Sequence, residues 1–148
     1  MCIRDSAYYL KSLNYFYQID DVERDQSMTE IALNSFQNVI NKYPDTSFAK
    51  DAKGKIDILN DRLAAKEMEV ARYYQYSKNW ISAINRYNTV LDKYKTSIYT
   101  AEALHRLVEI YYSLGLTSES EKYASTLGYN FPNSEWYKKS YKIVNSNS

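Results

Sequence analysis

His105 is the only imidazole and Cys2 the only thiol in this chain of 148 residues. A Ser-His-Asp triad would have to be built around His105, which lies beside Arg106 in the middle of a helical stretch. We read it as an ordinary helix-surface or groove residue, and Cys2 as an inert thiol. The acidic pairs Asp20 and Asp21, and Glu67 and Glu69, fit no catalytic motif, because side chains one or two apart on a helix do not face each other. The chain has no HExxH, no Gly-rich phosphate loop and no metal-ligand spacing, so neither catalysis nor a cofactor nor a metal is expected. Binding chemistry is better represented. Arg86, flanked by Asn85 and Asn88, carries a planar fork suited to a partner's carboxylate. Tyrosine supplies 17 residues, and aromatic side chains are favoured interface anchors. Tyr73, Tyr74, Tyr87, Tyr94, Tyr111 and Tyr112 fall at packing positions, whereas Tyr76, Tyr99 and Tyr129 are less constrained and are candidate groove aromatics.

The elements that must hold these residues are set by a punctuation mark used three times. Tyr43-Pro44-Asp45-Thr46-Ser47, Tyr94-Lys95-Thr96-Ser97 and Phe131-Pro132-Asn133-Ser134 each place an aromatic, a breaker and a capping side chain in order. A small residue precedes each breaker by twelve positions: Ala32, Ala83 and Ser120. That is the interval between the small residue of the second helix and the closing proline in the tetratricopeptide pattern. The expected fold is therefore all-α, a tetratricopeptide-like solenoid of helical hairpins. Composition agrees, since 3 Gly and 2 Pro are too few for a turn-rich β fold. The net charge of +1 gives no electrostatic reason to expect nucleic acid or an anionic membrane surface as the main partner. No apolar run is long enough to span a bilayer.

Along the chain, a helix is expected from Ala7 to Gln18 with Tyr9, Leu10, Leu13, Phe16 and Tyr17 on one face. After a polar loop, Ser27 and Glu30 form a capping box for a helix running to about Tyr43, with Ile31, Phe36, Val39 and Ile40 inward. From about 46 to 77, Ala52, Ile56, Leu59, Leu63, Lys66, Val70 and Tyr73 alternate by four and three, which predicts one overlong helix of about 45 Å. A break capped by Asp61 is the alternative. This extra length explains why Ala32 and Ala83 are 51 residues apart but Ala83 and Ser120 only 37. Residues 78–80 make a tight turn into a helix over 80–94. The next helix runs from Ser97 to Leu114 with Ala103, Leu107, Ile110 and Tyr111 inward, and Gly115 terminates it. Ser118 caps the following helix to about Tyr129. A last one starts at Ser134 and carries Trp136, Tyr137, Tyr141 and Val144. Residues 1–6 read as a fragment-end or non-native stub, since no hydrophobic signal segment follows them. Residues 7–144 read as three repeat-like units plus a C-terminal helix, and 145–148 as a fraying tail.

The runs AYYLKSL (7–13), RDQS (24–27), LAAKEMEVARYY (63–74), AINRY (83–87) and SEWY (134–137) follow in that order. In them the chain resembles the BamD family, the tetratricopeptide lipoproteins of the outer-membrane β-barrel assembly machinery. The resemblance spans residues 7–144 and implies the C-terminal three-fifths of a family member. It also implies a non-catalytic scaffold on the periplasmic face of the outer membrane, held by an N-terminal lipid anchor outside this chain. Cys2 is not that anchor, because no lipobox precedes it. The implied partners are the POTRA domains of BamA, unfolded outer-membrane protein clients and other lipoproteins of the complex. The implied BamA contact is Arg86, the arginine of AINR, pairing with an acidic POTRA residue. Lys95 departs from the proline often found at that turn. Two other readings are a general tetratricopeptide adaptor, for example in cell-wall coordination, and a non-catalytic domain of a larger enzyme.

Overall fold

The computed structural model describes residues 2–17 and 26–146. Its seven helices are α1 (Cys2–Tyr17), α2 (Gln26–Lys42), α3 (Ser47–Tyr76), α4 (Trp80–Lys93), α5 (Thr100–Ser113), α6 (Thr117–Asn130) and α7 (Glu135–Asn145), with no strand among the described residues. The architecture is all-α and tetratricopeptide-like. The polar loop before α2 and the Ser27 side chain of the expected capping box lie outside the described residues.

The three punctuation marks fold alike. The backbone N–H of Thr46, Ser97 and Ser134 each donates to the carbonyl of the aromatic three residues earlier, Tyr43, Tyr94 or Phe131. Thr46 and Ser134 then cap, accepting from the N–H of Ala49 and Tyr137 at 3.2 and 3.1 Å. Ser97 does not cap. Its hydroxyl lies 3.5 Å from that of Thr100, whose oxygen is bonded to the Lys95 carbonyl, so α5 starts three residues later than the sequence suggests. The small residues Ala32, Ala83 and Ser120 are all fully buried. Ser120 satisfies its hydroxyl by donating to the Val108 carbonyl.

Two further turns are Schellman motifs. At the end of α5, Leu116 N–H donates to Tyr111 and Gly115 N–H to Tyr112, with Gly115 at φ 79°. Leu116, not Ser118, is thus the N-cap of α6. At the end of α3, Asn79 N–H donates to Tyr74 and Lys78 N–H to Gln75, and here a lysine holds the left-handed position at φ 59°. A side chain at that φ is strained where glycine is not. Lys78→Gly is therefore expected to raise stability by about 1 kcal/mol in urea unfolding, with the far-ultraviolet spectrum unchanged.

The chain divides into two compact units, Met1–Lys66 and Glu67–Ser148. α3 is one unbroken helix of 30 residues that contributes to both, with no break at Asp61. The first unit closes on Phe16, Ala32, Phe36, Val39, Ala52 and Leu59. Ser12 joins α1 to α2 through a 2.7 Å hydroxyl contact with Ser35. Leu10, Tyr17 and Ile31 were expected inward but are exposed. The core-facing stripes are Phe16 with the partly buried Tyr9 and Leu13 on α1, and the buried Ala32, Phe36 and Val39 on α2. Leu10, Tyr17 and Ile31 each sit one residue, or about 100° of helix, off their stripe.

In the second unit α5 is the centre, packed on α4, α6 and α7 and buried over most of its length. The buried positions of α3 here are Met68 and Ala71, while Tyr73 is exposed and Val70 only half-buried; Lys66, at the end of the first unit, is also half-buried. A strict 3.5-residue stripe drifts by about 20° per heptad on a helix of 3.6 residues per turn, and by Tyr73 it has left the core. Tyr141 of α7 is likewise exposed. Gly128 of α6 allows close packing of α7, since a Cβ there would lie 2.5 Å from the Tyr137 ring.

Candidate protein-interaction surface

A chain of hydrogen bonds through one carboxylate links four helices of the second unit. Glu109 of α5 accepts from His105 Nε2, Arg106 Nη1 and Gln75 Nε2, each at 3.0 Å. Gln75 of α3 accepts through Oε1 from the Tyr87 phenol of α4 at 2.7 Å, and His105 Nδ1 meets the Ser140 hydroxyl of α7 at 2.7 Å. An ionised Glu109 only accepts, so Nε2 carries the proton, and in the neutral ring Nδ1 accepts from Ser140. Burial works to raise the Glu109 pKa, but the bonds from His105, Arg106 and Gln75 prevail and hold it down at about 2. Burial pushes the Tyr87 phenol up to about 12. Beside this chain of bonds, Arg72 grips Glu102 through two bonds of 3.0 and 2.7 Å.

His105 is therefore a buried residue, contrary to its reading as a surface or groove position. The covering helix is α7, whose Trp136 ring stands 5.3 Å from the imidazole. Two arginines and two glutamates cancel here, so the cluster joins helices and adds no net charge to the surface. Among the described residues no group of His, Cys, Asp or Glu side chains is placed to hold a metal ion. No described helix is long and apolar enough to cross a membrane.

Arg86 lies on α4 with its side chain 45% exposed, and both of its bonds to Glu67 leave from Nη1, at 3.3 and 3.0 Å. Tyr76 and Tyr129 are 92% and 88% exposed. Tyr99 is half-buried at the entry to α5. Tyr76 lines a concavity of about 290 Å³ with Arg72, Gln75, Trp80 and Arg106. Tyr99 and Tyr129 are not among the residues that line this concavity. Glu102, Glu109, Gln75 and Ser140 were not singled out from sequence. The only signal was the spacing of Glu102, Arg106 and Glu109, four and three residues apart on one helix.

Paired helices joined by repeated turns, with polar anchors on their faces, define a helical-repeat protein of the tetratricopeptide type. The family model described as YfiO, outer membrane lipoprotein, matches residues 4–127, and the chain belongs to this family. It is 51% identical to outer membrane protein assembly factor BamD of Rickettsia prowazekii over 138 residues, covering 93% of this chain and 55% of that protein. The BamD of Caulobacter vibrioides is 45% identical over 141 residues, covering 95% and 46%. That of Haemophilus influenzae is 31% identical over 103 residues, covering 70% and 39%. The chain spans about half the length of the curated relatives it matches.

Proposed function

We propose that this chain is part of a non-catalytic scaffold for outer-membrane protein assembly, which binds the POTRA domains of BamA through the face of α4 that carries Arg86. Support comes from the assembly-factor name its relatives carry and from one observation. The Arg86 guanidinium is exposed, and its bonds to Glu67 use Nη1, which leaves the edge formed by Nε and Nη2 facing a partner's carboxylate. Binding energy, rather than covalent chemistry, then does the work: the helical hairpins hold BamA in one orientation while unfolded β-barrel clients are delivered. The proposed location is the periplasmic face of the outer membrane, with an N-terminal lipid anchor on the longer protein. Other lipoproteins of the complex are further proposed partners. Tyr76, Tyr99 and Tyr129 are proposed as separate aromatic contacts.

Calorimetric titration with the purified POTRA region of BamA tests the reading. Arg86→Glu is expected to weaken binding by about tenfold or more. Helicity should not change, because an ion pair whose arginine stands in solvent is worth about 1 kcal/mol or less. Glu67→Gln, which releases the guanidinium, should bind at least as tightly as the parent chain. Equal affinity of Arg86→Glu and parent would remove Arg86 from the interface.

A further inference from the structure

A different concavity of the second unit, about 520 Å³, is formed by α4, the turn after it, the start of α5 and the C-terminal half of α6. Its floor is apolar. Leu91, Tyr123 and Phe131 are partly buried and pack on the cluster that contains Leu104. Lys95 and Lys122 are the charged residues among those that line it. These two cations differ from the arginines of the same unit. Arg72, Arg86 and Arg106 each have a carboxylate within the protein, and Lys138 has Glu135. Lys95 and Lys122 form no ion pair among the described residues, and both are exposed. Hydrated cations above an apolar floor complement an apolar group that has negative charge on either side.

We propose that this concavity is a docking site for a protein segment that carries one aromatic or long aliphatic side chain flanked by carboxylates. The volume falls in the range of about 300–1,000 Å³ usual for sites that enclose a small ligand or an anchoring side chain. The margin also includes Thr126 and Asn130, and polar margins around a short floor suit a side chain with its flanking peptide groups better than an acyl chain. The anchor covers Leu91, Tyr123 and Phe131, and the flanking acids pair with Lys95 and Lys122. Arg86 is not among the lining residues, so the site stands whether or not the BamA reading holds.

The probe is a fluorescently labelled short peptide with one phenylalanine between two aspartates, titrated into the whole chain and followed by anisotropy and by amide chemical shifts. Saturable binding is expected, with shifts centred on Leu104, Tyr123 and Phe131. Changing the phenylalanine to serine, or both aspartates to asparagine, should weaken binding by about tenfold or more. The double variant Lys95→Glu with Lys122→Glu should do the same, while Lys50→Glu with Lys53→Glu, an equal charge change on exposed positions of α3, should leave affinity within about twofold. The proposal is overturned by no binding at millimolar peptide, by equal binding of the asparagine peptide, or by binding that survives the Lys95 and Lys122 reversal. Saturable binding of decanoate without binding of the peptide would overturn it too and make the concavity an acyl-chain site.

Discussion

Glu109→Gln should cost the second unit about 2–3 kcal/mol at pH 7 and remove most of its acid sensitivity below pH 4.5. The carboxylate receives three donors on two oxygens: His105 Nε2–H, Arg106 Nη1–H and Gln75 Nε2–H. Glutamine keeps the shape but offers one oxygen and one NH₂, so at least one donor faces another donor. Gln75 then loses the partner that orients it toward Tyr87, and His105 loses the acceptor that fixes its tautomer. The linkage follows from the direction of the shift. A carboxyl lowered from 4.5 in the unfolded chain to about 2 in the folded one stabilises fully above pH 4.5, and that stability is lost as the pH falls through 2. At about 1.4 kcal/mol per unit the shift corresponds to about 3 kcal/mol, and the side chain's 28% exposure argues for the lower part of the range given above. Urea unfolding at a series of pH values checks both parts. A variant within about 0.5 kcal/mol of the parent at pH 7, or one with the parent's acid slope, would show that the network carries little energy.

In the first unit the expected result is larger. Phe36→Ala should cost about 3–5 kcal/mol, because a fully buried ring is removed and its neighbours collapse only in part. Phe36 meets Phe16 edge-to-face at 6.1 Å and 73°, and Tyr9 at 6.3 Å, so it links α2 to two rings of α1. The unit holds few other large buried side chains, and a body of this size has little stability to lose. Amide hydrogen exchange in α1 and α2 should rise toward the unprotected rate, with Phe36→Leu intermediate. Protection in α1 equal to that of the parent would show that the ring is not the keystone of this core.

Local chemistry was the legible part of the chain. The aromatic and the residues after it fixed three turns, two of them with the expected cap, because each turn is decided within four residues. The small residues Ala32, Ala83 and Ser120, picked out by their constant distance from those turns, are all buried. The unbroken α3 followed from an absence of breakers. What was not legible depends on contacts far apart in sequence. The spacing of Glu102, Arg106 and Glu109 can be seen on paper, but Arg72 and Gln75, which bond Glu102 and Glu109, and Ser140, which bonds His105, lie 30 or more residues away on other helices. His105 looked like a surface residue because nothing local says that α7 covers α5. Lys78 gave no sign of its left-handed conformation, since lysine carries no turn preference. Leu10, Tyr17 and Ile31 show the limit of periodicity: an apolar stripe one residue wide of the core reads the same as one that faces it.

The Arg86–Glu67 pair means that a carboxylate arriving at Arg86 meets a guanidinium already held by one acid. Glu67 takes Nη1, so the newcomer bonds along the edge formed by Nε and Nη2 and feels a like charge across the same group. Raising ionic strength screens that repulsion along with the attraction, so affinity at this residue should fall less with salt than it would for a lone arginine. A solitary carboxylate therefore gains little here. A partner succeeds only when neighbouring contacts supply the difference, so a common charge can take part in selecting one surface.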